Sequence, residues 1–160
     1  MAVKPNVVLI DSSKDALRII YAACRQCYSA DFAGNIFKKA ADDPARQEEF
    51  VKQVVSSGHE SPLEHVKFTF AIEGVSRALT HQLVRHRVAS YSQQSQRYVK
   101  GSCFEYVIPP SIEADPGMRE KYVEVMRHIQ DGYNALMKCF EEKGRKGEAA
   151  NQDARFVLPQ

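Results

Sequence analysis

An α+β fold dominated by helices, with a small antiparallel or mixed sheet, is predicted from three observations. Residues 66–73 alternate apolar and polar side chains, the period of a strand. Residues 116–142 repeat apolar side chains at steps of three and four, the period of a long amphipathic helix. The 160 residues, with 44% apolar and 26% charged side chains, suit one soluble domain, so 1–160 is read as a single unit.

Taken in order, residues 6–10 (NVVLI) form a short apolar run expected as a buried strand, closed by Asp11-Ser12-Ser13. Ser12 or Ser13 can cap a helix running to about Tyr28, with Leu17, Ile20, Tyr21 and Cys24 on one face. Residues 29–43 show no clear period. Asp43-Pro44 then starts a helix, aspartate suiting the N-cap and proline the first helical position; Phe50, Val51, Val54 and Val55 line it up to Gly58. Ser61-Pro62-Leu63-Glu64 has the spacing of a capping box. In the strand that follows, Val66, Phe68, Phe70 and Ile72 alternate with Lys67, Thr69, Ala71 and Glu73, and Gly74 ends it. Val75, Ala78, Leu79 and Leu83 predict the buried stripe of a helix reaching about His86. Residues 88–96 (VASYSQQSQ) read as a polar loop, and Phe104–Ile108 as a short strand stopped by Pro109-Pro110. The long helix starts at Pro116, reaches about Glu142 and stops by Gly144. A last helix carries Ala150, Ala154 and Val157 and ends at Pro159.

Charge excludes some function classes and points to another. With 22 basic and 20 acidic residues the net charge is only +2, unlike a wholly basic nucleic-acid protein or a disordered polyelectrolyte. No apolar run approaches the ~18 residues of a membrane span, and the start has no signal-peptide core, so a cytoplasmic protein is expected. Four cysteines make no disulfide scaffold. Cys24 and Cys27, late in a helical pattern, read as buried or interfacial thiols, and no metal site is predicted from the cysteines or from His59 and His65. The balance is nevertheless uneven. From Gly74 to Phe104 there is no acidic residue, while Arg77, Arg85, Arg87, Arg97 and Lys100 give +5; the remaining 17 basic and 20 acidic residues leave −3. An acid-free basic stretch in a nearly neutral chain reads as an anion site, or as a solvated basic face.

Gln82 and Arg85 are three apart on the predicted helix, with His86 beside them and Arg87 where helix gives way to loop. Guanidinium groups suit phosphate, because their planar fork donates paired hydrogen bonds. The loop adds Ser90, Ser92, Gln93, Gln94, Ser95 and Gln96 before Arg97, offering amides for a nucleobase edge and hydroxyls for phosphate oxygens. These parts suit a nucleotide site. They also suit a helix C-terminus with arginines on its last carbonyls, or a single-stranded RNA binder in which Tyr91 and Tyr98 stack on bases. Ser95 has no evident base near it in sequence and is not read as a nucleophile.

Arg85-His86-Arg87, seven residues and then Ser95 resembles the signature of the flavin-dependent thymidylate synthases. Four fixed identities at fixed spacing arise by chance in roughly one chain of this length in a thousand. The likeness extends to GHESPLEH at 58–65 followed by VKFTF, through RHRVASYSQQSQRY at 85–98, and to ARFVLP at 154–159.

The resemblance implies a methyltransferase that makes dTMP from dUMP, with methylenetetrahydrofolate as carbon donor, FAD as redox cofactor and NADPH as reductant. It also implies a homotetramer with active sites between subunits. By position, Ser61, Arg85, His86, Arg87 and Gln93 would contact FAD. Gln82, Arg85, Gln93, Gln94, Ser95, Gln96, Arg97 and Arg155 would hold dUMP, and His59 is a further candidate for the flavin or folate face. Two departures stand out. Family members often carry glutamate where this chain has Gln93, and they continue for several tens of residues past the ARFVLP segment. That continuation holds further FAD contacts and the arginine that activates dUMP. No catalytic residue is therefore assigned up to Gln160, and a degenerate, non-catalytic subunit is the alternative reading.

Overall fold

The computed structural model describes residues 1–159. In chain order it contains β1 (Asn6–Ser12), α1 (Ala16–Gln26), α2 (Ala33–Lys39), α3 (Pro44–Ser56), β2 (Phe68–Glu73), α4 (Arg77–Leu83), α5 (Pro110–Glu113), α6 (Pro116–Glu142) and α7 (Glu148–Ala154). Short 3-10 turns cover Ala40–Asp42, Ser61–His65 and Arg155–Val157. Helices therefore dominate a two-stranded sheet, as the periodicities predict. The chain gathers into two compact units, one of Val7–Ala71 and the other of Met1–Asn6 with the residues from Ile72 onward.

In the first unit, α1 packs on α2 and α3. Ala22, Cys24, Ile36, Ala40 and Val51 are buried, and the Tyr21 ring meets Phe50 edge-on at 5.5 Å. Asp43 caps α3 as expected, its carboxylate accepting the Arg46 N–H at 3.0 Å, and Gly58 follows the helix at φ +89°. Two expected caps do not form. Asp15, at φ 56°, precedes α1 without a side-chain cap, while the Ser13 hydroxyl instead accepts the Lys67 N–H at 2.9 Å, tying the chain after β1 to the chain before β2. Ser61–His65 winds as a 3-10 turn with no side-chain cap, so the spacing of a capping box does not produce one here. Cys24 is buried; burial first and the neighbouring Cys27 second push its thiol above the usual range. Cys27, of the pair read as buried or interfacial, is exposed on this chain, as are Cys103 and Cys139.

The strands are antiparallel: Asn6 bonds Glu73 and Ser13 bonds Lys67, at opposite ends of the pair. β1 was expected to be buried, but both strands are exposed along nearly their whole length. Val7, Val8, Leu9 and Ile10 each keep more than half of their surface, as do Phe68 and Phe70.

In the second unit the core is built on α6 and α7. Tyr133, Met137, Ala150, Ala154 and Leu158 are buried together, with Phe104 and Phe140 against them. Asp115 caps α6, accepting from Gly117 and Met118 N–H, and Gly144 ends it at φ +76°. One face of α6 also holds the stretch beside it. The Tyr133 hydroxyl accepts the Gly101 N–H at 3.0 Å, Gln130 bonds Phe104 N–H and Gly101 C=O at 2.7 and 2.9 Å, and Tyr122 donates to Val107 C=O at 2.9 Å. These side chains explain why Phe104–Ile108 is not the expected strand: only a single parallel bridge forms, between Ala2 and Tyr106. The short α5 follows where a stop was expected, proline being well suited to a first helical turn.

α4 is shorter than its pattern. Ser76 caps it, accepting the Leu79 N–H at 3.1 Å, but it ends at Leu83, and the expected buried stripe is open to solvent at Ala78 and Leu79. Gly74 stands before it at φ +65°, where an added Cβ would overlap the Lys4 carbonyl. Among the described residues no helix is long and apolar enough to cross a membrane.

Candidate functional site

The basic stretch is carried by α4 and by the loop that folds back on it. After Leu83 the chain tightens: Arg85 N–H donates to Gln82 C=O at 3.1 Å and His86 N–H to Leu83 C=O at 3.0 Å. Arg85 thus sits in a turn just past α4, where a continuing helix was expected, and Gln82 lies on its last turn. Gln82, Arg85, His86 and Arg87 are all exposed. Neither Arg85 nor Arg87 has a carboxylate partner among the described residues, so both guanidinium groups remain available to an anion.

The loop is polar but ordered by specific bonds. The Tyr91 hydroxyl donates to His86 C=O at 3.0 Å, and Arg77 donates to Gln94 C=O at 3.1 Å. Gln93 donates through Nε2 to the Thr80 hydroxyl at 2.8 Å, while that hydroxyl donates to Arg77 C=O at 3.0 Å. In this arrangement the Thr80 hydroxyl donates to the helix and accepts from the loop. The amide at 93 supplies the donor for that oxygen. Ser95 accepts the Arg97 N–H at 3.2 Å, and Gln96 is half-buried beside it.

Arg97 is held from α7. Its guanidinium pairs with Glu148, and its carbonyl accepts Asn151 Nδ2–H at 3.0 Å. Arg155, directly after α7, is half-buried, and its Nε–H donates to Gln152 C=O at 3.3 Å. The structure therefore gathers Gln93, Gln94 and Arg97 onto α4 and α7. Ser61 and His59 are exposed in the first unit, around the 3-10 turn after α3. Sequence reasoning missed Arg77, Thr80, Glu148 and Asn151. Only Arg77 carried a signal, as part of the acid-free stretch; the other three are ordinary helix residues until the loop is seen against them.

Exposed arginines without carboxylate partners beside an amide- and hydroxyl-rich loop, on an α+β scaffold, offer the groups that a nucleotide-like anion needs. The chain belongs to the family described as thymidylate synthase complementing protein, whose sequence profile matches residues 8–160. Among similar curated proteins, the flavin-dependent thymidylate synthase of Nitratidesulfovibrio vulgaris is 48% identical over 98% of this chain and 65% of its own length. That of Clostridium tetani is 43% identical over 96% of this chain and 64% of its own. The chain thus spans somewhat under two thirds of these relatives. A UMP/dUMP methylase from Streptomyces cacaoi, solved with 5-Br dUMP, shares the fold with a TM-score of 0.71; it is 23% identical over 98% of this chain and 68% of that one.

Proposed function

We propose that this chain forms the dUMP- and flavin-binding part of a cytoplasmic thymidylate synthase that converts dUMP to dTMP. FAD is the proposed flavin, methylenetetrahydrofolate the carbon donor and NADPH the reductant. The observation that carries the reading is the pair of exposed, unpaired arginines, Arg85 and Arg87, flanking His86 within the family signature. Flavin and reaction follow from the similarity to flavin-dependent thymidylate synthases, and the uracil nucleotide from the 5-Br dUMP bound to the S. cacaoi enzyme.

In this reading Arg85, His86 and Arg87 hold FAD, with Ser61, Gln93 and His59 as further flavin or folate contacts. Unpaired guanidinium groups fit its pyrophosphate by charge and by forked hydrogen bonding. The methylene carbon needs two more electrons to become the thymine methyl group, and bound flavin is the group that supplies them. Gln82, Arg85, the 93–97 loop and Arg155 hold dUMP, the amides reading the ring edge and the cations taking the phosphate.

Titrating the 160-residue chain with FAD and dUMP tests this directly. A shifted flavin absorbance and saturable dUMP heat are expected, both weakened at least 10-fold by Arg85→Ala. A chain that leaves the flavin spectrum unchanged and binds no dUMP would sink the proposal.

The assembly proposed is a homotetramer. A two-stranded sheet is marginal alone, and here Ile10, Phe68 and Phe70 keep about half or more of their surface, with the two phenylalanine rings stacked 6.3 Å apart. Light scattering should give the mass of four chains, and Phe70→Asp should shift it to smaller species. An unchanged mass for that variant would remove the sheet from the interface.

A further inference from the structure

Two bonds from one face of α7 converge on a single loop residue. Glu148 pairs with the Arg97 guanidinium, and Asn151 donates to the Arg97 carbonyl at 3.0 Å. Positions 148, 151 and 155 succeed one another at steps of three and four, so Arg155 leaves the helix on the side that grips Arg97. The grip is rigidly backed. Asn151 is only 5% exposed, and its neighbours Ala150 and Ala154 are fully buried against Tyr133 and Leu158. Arg97 is also fixed from its own loop by the bond of its N–H to the Ser95 hydroxyl, while its Nε is buried without a partner. The guanidinium side chain nevertheless keeps 43% of its surface. One carboxylate does not exhaust five N–H donors, so the exposed part can still take a phosphate oxygen.

We infer that Glu148 and Asn151 are positioning residues for a nucleotide monophosphate: they pre-set Arg97 on the Arg155 side of α7, so that the phosphate meets two oriented cations. The inference rests on the dUMP reading above and extends it to residues which that reading does not include. Glu148 acts here as an orienting acceptor, not as a competitor for the cation. Asn151 fixes the main chain that carries the side chain. Both act through Arg97 and touch no reacting atom.

The test compares dUMP with deoxyuridine, which lacks the phosphate, by calorimetry on the 160-residue chain. Asn151→Leu keeps the volume and removes the donor; Glu148→Ala removes the acceptor. Each should weaken dUMP about 10-fold and leave deoxyuridine unchanged, and Glu148→Gln, which retains an accepting oxygen, should restore dUMP binding. If Asn151→Leu loses its far-UV spectrum, Asn151→Asp replaces it, keeping the shape while turning the donor into an acceptor. Equal losses for both ligands, or tighter dUMP binding by Glu148→Ala, would overturn the inference. If the parent chain binds dUMP in an Arg155-dependent way that neither variant alters, only the positioning role falls. If the parent chain binds no dUMP, the nucleotide reading falls and this inference falls with it.

Discussion

Tyr133→Ala is expected to lower the unfolding free energy by about 3–5 kcal/mol, the range for emptying a large aromatic site in a packed core. Tyr133 is fully buried, stands at the centre of the cluster with Met137, Ala150, Ala154 and Leu158, and accepts the Gly101 N–H at 3.0 Å. Such a loss is a large share of the ~5–15 kcal/mol that holds a typical domain folded. Tyr133→Phe separates the two contributions: it keeps the ring and strands the Gly101 N–H, costing about 1–3 kcal/mol. Urea unfolding of the three proteins measures both. An alanine variant with the parent's midpoint would mean that the core is not organised around this ring.

Arg155→Ala should weaken dUMP about 100-fold, equivalent to about 2.7 kcal/mol, while changing FAD affinity less than about threefold. The asymmetry follows from placement. Arg155 emerges from α7 beside the grip on Arg97, whereas the proposed FAD contacts Arg85 and Arg87 belong to the turn after α4. Charge-assisted bonds to phosphate are among the stronger ones in water, so their loss should dominate the binding change. Paired titrations with dUMP and FAD decide it, and equal losses for both ligands would remove Arg155 from the nucleotide phosphate.

The elements legible from the sequence are those whose causes lie within a few residues. The bounds of α6 follow from Pro116, Gly144 and an unbroken apolar period, and α3 begins where Asp43-Pro44 says it should. The period of β2 was equally plain, but its burial was not. A period or an apolar run reports which residues form a strand, not whether anything covers its face, so β1 and β2 formed while the burial expected of β1 did not. Ser13 illustrates a second limit. Its local context suggests a helix cap, yet its hydroxyl bonds the Lys67 N–H, 54 residues away.

The candidate site divides along the same line. The arginines and the amide-rich loop were visible as a charge anomaly and a motif. What organises them was not, because Glu148 and Asn151 lie 51 and 54 residues from Arg97. α4 fell between the two cases. Ser76 caps it as a local rule allows, but its apolar stripe has no partner to hide against within its unit, and the helix stops three residues before His86.

The bond between Gln93 and Thr80 ties two positions that no single-residue view would connect. With the Thr80 proton directed at Arg77 C=O, the pair runs from amide to hydroxyl. A change to glutamate at 93 alone removes the amide donor, so the Thr80 hydroxyl must turn from Arg77 C=O to the carboxylate; a change to valine at 80 alone leaves the amide N–H without this acceptor. The two sites are therefore coupled, and the effects of substitutions at 93 and 80 on stability should be non-additive.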